Sequence, residues 1–272
     1  MIAEEKLEDS GLEVIDILSD PVFLARKLHA RDASLQLEGL RRLGRAFVEH
    51  PDTILQELVN AAVDLCGADS SGISIEKEDR TDTNFYHWVA TAGDYSGFLN
   101  AVLPRYPSAC GVCLERGRPQ LFRVSQRFFE ILGVEAPLVS DGILLPWKVD
   151  ETQGTIFVMA HGRDQAFDNE DVRVMQMLAD FAAMGFRQLR QQKMLIDQER
   201  AAAAASMANE LAHKINNPLQ SITNVVYLAS QNASAPEAKA LAAELDGDVG
   251  RLSELVKKLL ALPFEPAGKE SL

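Results

Sequence analysis

The chain has 272 residues, 47% of them hydrophobic and 25% charged, which is the composition of a folded protein with room for one large domain or two modest ones. A formal charge of −13 at pH 7 opposes any electrostatic grip on nucleic-acid phosphates or anionic lipid, so neither nucleic acid nor membrane is expected as a partner. The first residues, MIAEEKLEDS, are acidic, and no apolar run approaches the roughly 20 residues of a membrane span, which places the chain in the cytoplasm among small molecules and other proteins.

From Asp9 to Leu28 the pattern GLEVIDILSDPVFLARKL predicts one or two short amphipathic helices broken at Pro21, a packing arm within residues 1–34. Ala33 to Val48 is a second helical stretch. A third starts near Asp52, a plausible cap, and runs through ILQELVNAAVDLCGA with apolar residues three and four apart. After Gly67 the period becomes alternating. SSGISIEKE, NFYHWVATAG, RPQLFRV, DGILLPWKV and GTIFVMAHG read as strands, five or six in all, and with the flanking helices they make an α+β fold with an antiparallel sheet. Along Asn84–Gly93, Tyr86, Trp88 and Ala90 point to one side and Phe85, His87 and Val89 to the other. Both sides are apolar, so both are covered, one by helices and one by the loops around Tyr95 to Cys110, enclosing a pocket. Trp88, Tyr86 and Cys110 are the candidates for its lining, with plain core packing as the alternative.

Of the three cysteines only Cys110 and Cys113 form a C-x-x-C pair. Zinc generally takes four ligands and no second pair follows, so no metal is expected; the two read as small apolar residues flanking Gly111 at a turn, or as a redox dithiol.

FDNEDVRVMQMLADFAAMGF restarts a helix, with Asp168 as N-cap and Asp171 three positions on. The next proline is Pro218 and the only glycine between is Gly185, so one helix from Glu170 to about Ser230 would be roughly 90 Å long at about 1.5 Å per residue. Such a rod calls for a partner chain. QNASAPEA breaks it, and a second amphipathic helix runs from Glu237 to about Leu262 with Leu241, Leu245, Val249, Leu252, Val256 and Leu259 on one stripe. Leu211, Ile215, Ile222, Val225 and Ala229 make the matching stripe on the first arm. An antiparallel hairpin leaves much of this surface wet, whereas two hairpins about a twofold axis form a four-helix bundle, so a homodimer is expected.

In ELAHKINNPL, His213 lies about 160° from both Leu211 and Ile215, opposite the stripe, on a polar side with Asn209, Asn216, Asn217 and Gln220. Pro218 costs about 3 kcal/mol inside a helix and clashes with the carbonyl of Lys214; the resulting kink would open the His213 turn to a docking partner, with Asn216, Pro218 and Gln220 around it.

ELAHKINNPLQSITN resembles the phosphoacceptor box of two-component sensor histidine kinases, the HisKA-type dimerisation domain. The resemblance implies that His213 takes a phosphoryl group and passes it to an aspartate on the receiver domain of a response regulator, and that Asn217 orients the water used in dephosphorylation. Lys214 stands where the family has an acid that accepts the imidazole proton, a task a protonated lysine cannot perform. The family's ATP-binding module would follow Phe264, where only EPAGKESL remains, so His213 is expected to be charged by a separate histidine kinase or by a regulator running in reverse, or to sit in a docking surface without chemistry. A complete sensor kinase remains the enzymatic alternative. PRYPSACGVCLERGRPQLF, with the strands after it and AFDNEDVRVMQMLADFAA, is similar to GAF sensor domains, which implies a small-molecule ligand of unspecified identity; no cofactor is named. The expected domains are the arm at 1–34, GAF at 35–190, the signalling helix and HisKA-like part at 191–265, and a tail at 266–272.

Overall fold

The computed structural model describes residues 7, 9–29, 33–230 and 235–260. The chain divides into two units between Gln191 and Gln192. The expected tail, 266–272, lies outside the described residues, as does part of the arm.

The first unit is built on one antiparallel sheet of seven strands, β1 (Leu12–Asp16), β2 (Ser70–Glu76), β3 (Tyr86–Gly93), β4 (Val102–Leu103), β5 (Gln120–Val124), β6 (Val139–Val149) and β7 (Thr152–Ala160), in the order β1-β5-β6-β7-β2-β3-β4. The five stretches that alternate in the sequence are all strands. The helical reading of the arm gives way at Leu12–Asp16, where LEVID pairs antiparallel with β5, Leu12 opposite Val124 and Asp16 opposite Gln120. Five residues that alternate between the two faces of the sheet, Leu12 and Val14 on one and Ile15 on the other, satisfy a period of two as well as a short helical stripe, and the open edge of β5 decides between them. Only Pro21–Leu24 (α1) is α-helical in that segment, with Asp20 accepting from the amides of Val22 and Phe23.

One face of the sheet carries the helices α2 (Ala33–Glu49), α3 (Ile54–Cys66) and the start of α6 (Asn169–Ser230). Ile54, Leu58, Ala61, Ala62 and Leu65 form the buried side of α3, and Met175, Leu178, Ala182 and Phe186 that of α6. These spacings of three and four residues lay each apolar stripe on the sheet, where Ile73, Ile143, Leu145 and Ile156 meet it. Gly185 lets α6 approach α3: a Cβ there would stand 2.9 Å from Ile54 Cγ2.

The other face is covered by α4 (Ala109–Arg116), α5 (Gln126–Leu132) and the β3–β4 connection. Here a β-bulge corrects the simple alternation read along β3. Ile73 pairs with Ala90 and Ser74 with Trp88, so Val89 is an extra residue. Tyr86 and Trp88 therefore face away from the helical layer, while Ala90 and Ala92 join the core beneath it. Cys110, Gly111 and Cys113, expected at a turn, lie on α4, whose N-cap Ser108 accepts from the Gly111 amide. Gly111 is required by close approach, since a Cβ would come within 2.7 Å of the Arg105 carbonyl oxygen.

The second unit consists of the remainder of α6 and of α7 (Ala235–Leu260). Pro218 and Val225 on α6 and Asp248 on α7 are buried. The Ser221 hydroxyl and the Arg251 guanidinium hold the Asp248 carboxyl below the usual carboxylate range, so α6 and α7 lie side by side there. α6 runs unbroken through Pro218.

Candidate functional site

A cavity of about 160 Å³ lies between the sheet and the α4–α5 layer. β3 contributes Trp88, β5 Phe122, β6 Leu144 and β7 Phe157 and Met159; α4 and α5 close it from above with Ala109, Cys110, Phe128 and Phe129. Of the three residues expected to line a pocket, Trp88 and Cys110 do so. Tyr86 sits outside, packed edge-on against Phe85 at 4.9 Å in a small cluster with Cys110. Phe128 and Phe129 were not anticipated, because RFFEIL is too short to carry a helical period of its own.

The indole N–H of Trp88 is buried without a hydrogen-bond partner, whereas Cys110 and Tyr95 are engaged by the protein. Thr155 Oγ1 and Ser74 Oγ donate to Cys110 Sγ at 3.2 and 3.5 Å, and Tyr95 donates its hydroxyl to the Pro137 carbonyl at 2.7 Å. Burial pushes the Cys110 and Cys113 thiols up and outweighs the hydroxyls that donate to Cys110, so both sulfurs are neutral at pH 7. No charged side chain lines the cavity among the described residues.

A second construction joins the N-terminal segment to the head of α6. Arg26 is buried and grips Asp141 of β6 with two hydrogen bonds, 2.7 and 2.9 Å, while also donating to the Phe167 carbonyl at 2.7 Å. Asp168 is the cap the sequence predicts: its Oδ1 accepts from the Glu170 and Asp171 amides, and the Asp168 amide donates in turn to Asp171 Oδ2. Its Oδ2 accepts from both the amide and Nδ1 of His29, at 2.6 and 2.8 Å. Burial by itself would raise the Asp168 carboxyl; the amides of His29, Glu170 and Asp171 outweigh it and hold the group below the usual carboxylate range. His29, Asp168 and Asp171 bring their ligand atoms within 4.8 Å of one another, but the carboxylates are turned to amides at a helix N-terminus, and the trio is a cap. Arg26 and His29 gave no signal in the sequence, because their partners are 115 and 139 residues away.

In the second unit His213 is exposed, as are Asn216, Asn217 and Gln220. Leu211 and Ile215 are half-buried on the opposite side. Pro218 is buried with them and does not belong to the exposed patch: five residues beyond His213 is about 140° further round the helix. The Lys214 ammonium pairs with Glu210 one turn back at 2.6 Å, and holds that carboxyl below its usual range.

The family model of the GAF domain matches residues 48–187, just over half of the chain. Among solved structures the chain is similar to the GAF domain of a phosphoenolpyruvate-protein phosphotransferase from Acinetobacter, with 16% identity over 60% of this chain and 99% of that one and a TM-score of 0.45. It is similar to the phycoerythrobilin-bound GAF domain of a cyanobacterial phytochrome at 14% identity, 60% and 100% coverage and a TM-score of 0.43. A free methionine-R-sulfoxide reductase from Neisseria meningitidis, in complex with its substrate, shows 18% identity, 62% and 99% coverage and a TM-score of 0.47. No curated protein matches. On the extent of the family match, which takes in the sheet from β2 to β7 and the head of α6, this chain belongs to the GAF domain family.

Proposed function

We propose that the chain is a two-component signalling protein: a homodimer whose GAF unit reports a bound small molecule to a HisKA-like four-helix bundle, where His213 meets the receiver domain of a response regulator or a separate histidine kinase. The observation that carries this reading is the exposed position of His213 opposite the stripe of Leu211, Ile215, Pro218 and Val225. One helix face is given to packing and the other to an imidazole ringed by amides, and a neutral imidazole is a competent nucleophile near pH 7.

Dimerisation is supported by what the hairpin leaves wet. Leu219 and Val226 on α6 are 46% and 55% exposed, Val249 and Val256 on α7 are 48% and 43% exposed, and each pair is seven residues apart beside the inward stripe. Apolar positions at a seven-residue interval form one continuous seam, and a twofold-related copy would cover both pairs at once. The Lys214–Glu210 ion pair favours a second reading, in which the bundle docks a regulator or kinase without chemistry at His213, because no acid follows the histidine to take its proton.

Mixing the protein with phosphorylated receiver domains separates the two. Label on the wild type and none on His213→Gln supports the phosphoacceptor. Receiver binding without label supports the docking surface alone, and neither binding nor label removes the two-component assignment.

A further inference from the structure

We infer that the ligand of the GAF cavity is an uncharged, single-ring aromatic molecule; this rests on the sensing half of the proposal above. Three properties of the cavity select it. The first is size. About 160 Å³ is close to the roughly 150 Å³ of an engineered apolar cavity that takes up benzene, and falls short of the roughly 300 Å³ at which pockets for drug-sized ligands begin.

The second is polarity. No Asp, Glu, Lys, Arg or His lines the cavity among the described residues; Cys110 and Tyr95 are hydrogen-bonded within the protein, and the Trp88 indole N–H, buried without a partner, is an uncharged donor. A carboxylate or phosphate entering this wall would lose its hydration and gain no counter-charge, whereas an apolar ring loses nothing that the wall must replace.

The third is the wall itself. Seven of its residues are aromatic, and apart from Trp88 and Tyr95, stacked at 6.1 Å and 23°, the neighbouring rings meet at an angle: Trp88 and Phe157 are 4.9 Å apart at 51°, Tyr95 and Phe98 5.1 Å at 52°, and Phe128 and Phe129 5.8 Å at 78°. Tilted rings present edges and faces together, the arrangement that a further ring joins most favourably, and a saturated ring of the same size would forgo that part of the attraction. There is also a way in. Val102 and Val134 line the cavity and are 43% and 41% exposed, so an apolar mouth opens between β4 and the α5–β6 connection.

The test reads binding on the cavity wall and not on any output. The chain has two tryptophans, Trp88 in the wall and Trp147 on the opposite side of the sheet against Phe186, so full-length Trp147→Phe carries Trp88 as its only indole reporter. Titrated at pH 7, toluene and phenol are expected to give saturable changes in Trp88 emission. Cyclohexanol should bind at least 3-fold more weakly than phenol, and benzoate and cyclic AMP at least 100-fold more weakly. Val139→Phe fills the cavity from β6 and Ala136→Leu fills it more mildly from the α5–β6 connection; whichever keeps the wild-type circular dichroism should lose at least 10-fold in phenol affinity. The inference is overturned by no saturable response to toluene or phenol, by cyclohexanol or benzoate binding as tightly as phenol, or by a folded filling variant that binds unchanged. Because no regulator enters this assay, its failure leaves the His213 surface standing, and a failed phosphotransfer leaves the ligand class standing.

Discussion

Asp168 shows how a single carboxylate ties the unit together, because one oxygen caps α6 and the other receives the N-terminal segment through His29. Its depressed folded-state pKa means that its contribution to stability is complete above the unfolded value of about 3.9 and disappears as pH falls through the lower folded value. Acid unfolding followed by circular dichroism should therefore show a loss of stability below about pH 4. Asp168→Asn, which keeps a capping oxygen but cannot ionise, should flatten that part of the profile. Arg26 presents a different case, a charge buried against one counter-charge, Asp141. Arg26→Ala leaves the buried Asp141 carboxyl without its counter-charge, and the first unit should lose about 3–5 kcal/mol in urea unfolding followed by tryptophan emission. These residues mark where the sequence was legible and where it was not. The Asp168 cap follows from a local spacing of three residues, as does the outward side of His213 from a period of 3.6. The Arg26–Asp141 pair depends on tertiary folding, and nothing near either residue announces it.

Among the elements, those with many repeats of their period were the legible ones. α3, the head of α6 and the five central strands each carry enough alternating or three-and-four spacing to exclude another reading. β1 has five residues and β4 two, and both exist because an edge of the sheet stands open beside them. The bulge at Val89 was hidden for a related reason: an inserted residue is defined by its partner strand, and β3 alone cannot reveal that Trp88 and Ala90 part company. α6 links the two units, and its packed head should be the costly part to disturb. Leu178→Ala, at a fully buried position, is expected to lower stability by about 2–5 kcal/mol, measured by urea denaturation. Further along, Ala201–Ala205 is exposed and offers almost no side-chain volume to hold a register. Cysteines placed singly at 201 to 205 should therefore cross-link in a pattern that changes when the GAF cavity is filled with phenol. A pattern identical in both states would contradict transmission through this stretch.

For the molecule as a whole, the GAF unit follows from sheet, helices and family match together, whereas the output rests on the second unit's exposed surfaces. Two kinds of surface lie on the same pair of helices. Leu219, Val226, Val249 and Val256 are apolar and suit a second copy of the chain; His213, Asn216, Asn217 and Gln220 are polar and suit a partner of another kind. Leu219→Glu with Val226→Glu should shift the sedimenting species from dimer to monomer at micromolar concentration while preserving the far-ultraviolet helix signal. The central claim is that a pair of chains offers the His213 surface to a receiver domain, and native mass spectrometry of the protein mixed with candidate receivers tests it most directly. The account predicts a dimer that carries receivers, and an Asn216→Arg, Gln220→Arg variant that stays dimeric but loses them. A single chain at working concentration, or receivers retained by that variant, would contradict it.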